Sequence, residues 1–384
     1  MTLRQTRGEP YHRTSMPSRK RAATTSSGRK NGAPFPRKKI PVSVLGGTGT
    51  VGQRFVQLLE GHPWFEIVDI LASDQSAGKP YAEAIGSRWK LTTRIPADVA
   101  KLRVRAPGDK LQGRVLFSAL DASVAGELEH EYASRGHLVS SNARNHRMDP
   151  NVPLAIPEVN RDHMKLLEVQ PYKNGGGLVT NPNCSTIVIA MSLAPLHRAF
   201  GVEAVIVTTF QAASGAGYPG VPSLDILGNV VPYIPGGEEG KIESETQKIL
   251  GRIGPKGIVH AEFQVSALCH RVPVVDGHLN AISLRLQTRT TRKRILDAWE
   301  GFRPLQKLGL PSAPDQPIEA RSEEDRPQPR LDADRAGGMG VTVGRLRPCP
   351  VLEWKYEALG HNTIRGAAGA AILNAEILVR DGRI

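Results

Sequence analysis

The chain has 384 residues, is 40% hydrophobic and carries three cysteines and a formal net charge of +13, a length that supports roughly two domains with cores of their own. Three irregularly spaced cysteines argue against a disulfide framework and for a reducing compartment. No apolar run approaches the roughly 20 residues that cross a bilayer and no signal-peptide pattern opens the chain, so a cytoplasmic protein with no membrane partner is expected.

Residues 1–39 hold eleven Lys or Arg and one acid, Glu9, so +10 of the +13 lies there and the rest of the chain carries +3. Rich in Ser, Thr, Gly and Pro and nearly empty of aliphatics, this segment cannot offset the entropy of ordering and is read as a disordered basic tail. Its charge is therefore not the footprint of a nucleic-acid-binding core, and it lacks the apolar face of a transit peptide.

From residue 40 the pattern changes. Val42, Val44 and Leu45 read as a buried parallel strand, Gly47-x-Gly49-x-x-Gly52 as a turn, Val51 to Leu59 as a helix and Phe65 to Leu71 as the next strand. The glycines keep the turn tight, let pyrophosphate approach bare N–H groups and let helix pack on strand. Inside one βαβ unit this is a dinucleotide-binding loop, with Gly47, Thr48, Gly49, Thr50, Val51 and Gly52 as its cofactor contacts. The runs 113–120 and 137–142 are further strands ending in small polar residues. Ser118, Ser141 and Asn142 would lie beyond the strands' carboxyl ends, on the nicotinamide side.

In "LVTNPNCSTIVIAMSLAPLHRAF", residues 178–200, Pro182 and Asn183 favour a turn, Asn183 is a cap candidate, and helical periodicity follows. Cys184 then sits in the first helical turn, where the N-terminal dipole can lower a thiol pKa to roughly 3.5–7.5. It is either an activated nucleophile or a small buried core residue. Beyond it, "VEAVIVTTF", "EFQVSALCHRVPV" and "LNAISLRLQT" alternate as strands of a mixed sheet covered on one face by helices. Cys269 and His270 are neighbours on such a strand and point to opposite faces, which forbids a dyad. Cys349 lies between prolines. Residues 362–379 read as an Ala-rich helix capped by Asn362 or Thr363.

Nine segments run in order from about residue 40 to the C-terminus: "GGTGTVGQRF", "SNARNHRM", "PLAIPEVN", "NPNCSTI", "QAASGAG", "GGEEGKIESET", "RVPVVDGH", "DRPQPRLDAD" and "HNTIRGAAGAAILNAE". Together they resemble aspartate-semialdehyde dehydrogenases of the archaeal and fungal type. The resemblance implies an α/β chain with a Rossmann-type nucleotide-binding domain, residues 40–183 and 362–384, and an α+β catalytic and dimerisation domain, residues 184–361, built on a mixed sheet. It implies NADP-dependent reductive dephosphorylation of β-aspartyl phosphate to aspartate semialdehyde, a step toward lysine, methionine and threonine, through a cysteine thioacyl intermediate. It further implies a homodimer or homotetramer with no metal.

The roles it implies are Cys184 as nucleophile, His278 as acid and base, and Gln211 as the amide that orients thiol and intermediate, beside a flexible loop at Ser214–Gly217. Arg271 would pair with the substrate's α-carboxylate. Glu238, with Glu239 as competitor, would face the α-ammonium, and Arg147, Lys241 and Asn183 the phosphate. Cofactor contacts would be Ser73, Gln75, Ser76, Ser118, Asn142, Gly215 and Asn362. Where the family commonly carries an arginine for the 2′-phosphate of NADP, this chain has Gln75, with Asp74 and Lys79 beside it, so NADP is expected with NAD as a second option. The rival readings are a malonyl-CoA reductase on the same scaffold and, more remotely, a nucleic-acid or acidic-surface binder acting through the basic tail.

Overall fold

The computed structural model describes residues 36–384. The expected basic tail falls outside them except for its last four residues. The first sheet holds β1 (Ile40–Leu45), β2 (Phe65–Leu71), β3 (Val104–Arg105), β4 (Val115–Ser118), β5 (Leu138–Ser141) and β6 (Gly177–Thr180). Their order is β3-β2-β1-β4-β5-β6, with every pairing parallel. Apolar runs such as Val42, Val44 and Leu45 are buried, as strands covered on both faces require. The order reverses between β1 and β4, which opens a crevice at the carboxyl ends of the strands. The helix Thr50–Leu59 leaves the glycine turn at that point.

The second sheet is built from β7 (Val202–Ala212), β8 (Val231–Pro232), β11 (Gln264–Val272), β12 (His278–Leu286), β13 (Ile318–Ala320), β14 (Val341–Pro348) and β15 (Trp354–Gly360), with β9 (Arg252–Gly254) and β10 (Gly257–Val259) forming a separate hairpin. Its order is β13-β14-β15-β12-β7-β11-β8 and its pairings are mixed. Helices Cys184–Phe200 and Arg292–Glu300 cover one face through Ile187, Met191, Val207, Ile282 and Trp299. The other face leaves Ile206 47% and Leu268 58% exposed. Parallel pairing puts Arg271 beside Gln211, and antiparallel pairing puts Leu279 beside Phe210. The end of β7, the end of β11 and the start of β12 therefore meet at one edge.

The C-terminal helix Gly369–Arg380 packs into the first sheet's core, where Ala371, Leu373 and Leu378 join Val42 and Phe117. Ser140 Oγ also donates to Ala371 O at 3.1 Å. The continuous helix expected from residue 362 is broken here: Ile364–Ala368 is a π-helical turn, with Gly366 N bonded to His361 O and Ala368 N to Thr363 O. Neither Asn362 nor Thr363 caps it with a side chain. Asn362 instead accepts from Gly277 N at 2.9 Å and donates to Ser214 Oγ at 2.7 Å, a demand that no local pattern carries. Arg365, fully buried in that turn, is paired with the buried Glu158 at 2.7 Å. Among the described residues, no helix is long and apolar enough to cross a membrane.

Candidate active site

A cleft of about 1250 Å³ runs from the glycine turn to the start of the helix Cys184–Phe200. Asn183 caps that helix, its Oδ1 accepting from Ser185 N at 2.9 Å and Thr186 N at 3.1 Å. Cys184 is thereby held in the first turn, as expected, and its Sγ lies 3.2 Å from His278 Nε2. Behind it the π-helical turn closes in: a Cβ on Gly366 would stand 2.7 Å from Cys184 Cβ, so only glycine fits. His278 opens β12 after Gly277, whose φ of +99° lies in the region glycine favours. The ring is fully buried, and Ala212 N donates to its Nδ1 at 3.0 Å. The neutral ring accordingly keeps its proton on Nε2, aimed at the sulfur.

The expected thiolate at a helix N-terminus does not hold for the free protein. Burial, reinforced by the Glu238 carboxylate, pushes the Cys184 thiol up to about 12, against the opposing pull of Arg271 and Arg147. Burial and the nearby Arg271 hold His278 well below the ordinary imidazole range. The resting pair is a neutral thiol beside a neutral imidazole, because desolvation outweighs the helix dipole.

Around the pair, Glu238 accepts from Asn183 Nδ2 at 2.6 Å, Gln211 Nε2 at 3.2 Å and Lys241 Nζ at 3.1 Å. Burial alone would raise its carboxyl, but Lys241 and these hydrogen bonds overcome it and leave the group below its usual range. Gln211 spends its amide on Glu238 and Thr209, so it reaches the thiol through Glu238 and Asn183. Arg271 is nearly buried, with Nη1 donating to Ala212 O at 2.8 Å, and lines the cleft beside Cys184. Lys241 and Asn183 line it too, as does Arg147, although Arg147 is anchored inward on Glu245 and Asn142 O.

Of the expected cofactor contacts, Thr48, Gly49, Thr50, Val51, Ser73, Asn142, Gly215 and Asn362 line the cleft. Gly47, Gly52, Gln75, Ser76 and Ser118 do not. Gly47 and Gly52 serve packing: a Cβ would meet Ile70 Cγ2 at 2.4 Å or Gly46 O at 2.3 Å. Ser118 and Ser76 are buried, and Gln75 stands exposed next to Asp74, which is in the lining. Ser141 is turned away to donate to Glu129 at 2.7 Å. The Ser214–Gly217 loop forms a 3₁₀ turn over Ala213–Ala216, with Ser214 Oγ donating to Asp276 at 2.8 Å. Cys269 is buried on β11, and Cys349 lies near Ser283, both away from the cleft lining.

Sequence reasoning missed Gly46 (φ +72°) in the turn, Arg144 in the lining, Asp276 and Glu245. Only Glu245 left a signal, the spacing of charges at 238, 241, 245 and 248 on one helix.

Residues 41–167 match the family model described as semialdehyde dehydrogenase, NAD binding domain. Residues 193–365 match that of the semialdehyde dehydrogenase, dimerisation domain. The aspartate-semialdehyde dehydrogenase of Methanothermobacter thermautotrophicus is 50% identical over 346 residues, 88% of this chain and 99% of that protein. The protein of the same name from Cryptococcus neoformans is 47% identical over 367 residues, 91% of this chain and 99% of its own. The crystal structure of aspartate semialdehyde dehydrogenase with NADP from Candida albicans superposes with a TM-score of 0.83 at 43% identity, covering 90% of this chain and all of that one.

Proposed function

The chain belongs to the aspartate-semialdehyde dehydrogenase family, and we propose that it reduces β-aspartyl phosphate to aspartate semialdehyde through a thioacyl enzyme on Cys184. The observation that carries the chemistry is the 3.2 Å approach of His278 Nε2 to Cys184 Sγ in a cleft shared with the glycine turn. The residues fit NADPH. Gly46 has a positive φ and a Cβ there would meet Ala119 O at 2.5 Å, while the helix Thr50–Leu59 starts with no side-chain cap, leaving its N–H groups free for pyrophosphate. Gly49, Thr50, Ser73, Asn142, Gly215 and Asn362 would hold it. When bound, NADPH supplies a hydride at the thioacyl carbon.

In the acyl-transfer step the S–H bond breaks, an S–C bond forms and the C–O bond to phosphate breaks, the thiol proton ending on the departing phosphate. After reduction the C–S bond breaks as the alkoxide becomes the aldehyde, and the departing sulfur takes its proton from His278 Nε2–H, already aimed at it. A proton from water replaces it on the ring, so that one H+ is consumed overall. The high affinity of the sulfur for a proton favours that release. Arg271 holds the α-carboxylate and Glu238 the α-ammonium. Neutralising Glu238 in this way also removes its push on the thiol.

The same reading takes residues 40–183 with 362–384 as the nucleotide-binding part and 184–361 as the catalytic part. It makes the protein a cytoplasmic homodimer or homotetramer joined through the open face of the second sheet, which exposes Ile206 and Leu268. The assay is phosphate-dependent reduction of NADP by aspartate semialdehyde beside NADPH-dependent reduction of malonyl-CoA. Activity with malonyl-CoA alone would overturn the substrate.

Two substitutions test recognition. Arg271→Lys should cost roughly ten- to a hundredfold in kcat/KM, mainly through substrate KM, because an ammonium cannot pair bidentately with a carboxylate. Unchanged kinetics would place the carboxylate elsewhere. Gln75→Arg should raise the NADP over NAD ratio of kcat/KM by about tenfold, by restoring a charge-assisted contact to the 2′-phosphate. A constant ratio would leave the choice to Ser73 and Asp74, which line the cleft.

A further inference from the structure

The helix Glu238–Ile249 carries Glu238, Lys241, Glu245 and Lys248, spaced so that all four share one face, and each is tied to a group beside the cleft. Glu238 and Lys241 line the cleft itself, whereas Glu245 does not. Glu245 is 2% exposed and has one partner on each oxygen. Oε1 accepts from Arg147 Nη1 at 2.9 Å, and Oε2 accepts from the backbone N of Asn183 at 2.6 Å. Arg147 lines the cleft, where the proposed function assigns it to the phosphate, and Asn183 is the cap that sets the first turn of the nucleophile's helix. One turn further on, Lys248 Nζ donates to the carbonyls of Arg147, Asp149 and Val152 at 2.6, 2.8 and 3.0 Å, pinning the backbone that carries Arg147.

We propose that Glu245 is a positioning residue that fixes the distance between the thiol and the phosphate subsite, by gripping the Asn183 amide and the Arg147 guanidinium with the two oxygens of one carboxylate. Nothing else described joins these two groups in a single side chain. Only a carboxylate serves: both partners are donors, so a glutamine of the same shape turns its own N–H₂ against one of them. Loss of the grip lets Arg147 drift from the position where it meets the leaving phosphate, while Arg271 and the coenzyme loop, on other elements, keep theirs.

The inference rests on the phosphorylating-dehydrogenase reading, and the oxidative direction separates the two because phosphate is there a substrate of its own. In the full chain, Glu245→Gln should raise KM for inorganic phosphate by roughly ten- to a hundredfold and lower kcat, with KM for aspartate semialdehyde and NADP within about twofold of wild type. Glu245→Asp keeps the charge but reaches one partner, and should restore part of the phosphate KM. A residue needed only for folding would lower the yield of active enzyme and leave phosphate KM unmoved. If the glutamine variant does not fold, the aspartate variant decides: a wild-type phosphate KM there overturns the proposal. Equal losses for all three substrates would also overturn it. A wild-type enzyme that needs no phosphate would bring down the functional reading and this inference together.

Discussion

Replacing Cys184 by alanine is expected to bring turnover to background, a loss on the order of 10⁴ or more, while NADP still binds. No other thiol can stand in. Cys269 is buried on β11, where burial pushes its thiol up to about 11, and Cys349 sits by Ser283. Cys269→Ala and Cys349→Ala should keep most activity. The neutral state of the resting pair adds a second expectation. Alkylation of Cys184 by iodoacetamide in the free enzyme should keep rising with pH above 9, since burial holds the thiol protonated up to about 12. A plateau beginning near pH 6 would show a preformed thiolate–imidazolium pair instead. Turnover of the alanine variant above a few per cent of wild type, in a preparation free of wild-type enzyme, would remove the nucleophile assignment.

His278→Asn is expected to lower kcat by roughly 10²–10⁴ with little change in coenzyme KM. Asparagine can hydrogen-bond to the sulfur but cannot deliver a proton to it. The same ring has a signature in stability. Because burial depresses its folded pKa, the unfolded chain binds the proton more tightly, so the fold loses stability as pH falls below about 6.5. His163, His197 and His361, also depressed by burial, act with the same sign. Melting curves of the asparagine variant should therefore show a shallower fall between pH 6.5 and 5 than wild type. An equal fall, together with a kcat within a few fold of wild type, would remove His278 from the proton path.

The residues the chain places close together in sequence were legible without coordinates. The glycine turn with its flanking strand and helix is written in periodicity and glycine spacing over a single βαβ unit. The Asn183 cap and the position of Cys184 at a helix start follow from the Asn-Pro-Asn turn and the apolar run behind it, and the observed helix begins at Cys184. These are local properties, decided by backbone propensity within a few residues.

What the sequence alone could not decide was depth and convergence. The motif placed Cys184 in a helix dipole that favours thiolate, but how far the thiol is buried depends on Gly366 and the π-helical turn, far away in the chain. Desolvation then reverses the sign of the expected shift. Likewise Asn362, read as a cap, is taken by Gly277 and Ser214, and Gly47 and Gly52 serve packing rather than lining. The meeting of Arg271 with Gln211, and of His278 with the thiol, is set by the register of β7, β11 and β12. A one-residue slip there would turn each side chain to the opposite face, and strand pairing across such separations is a property of the folded sheet.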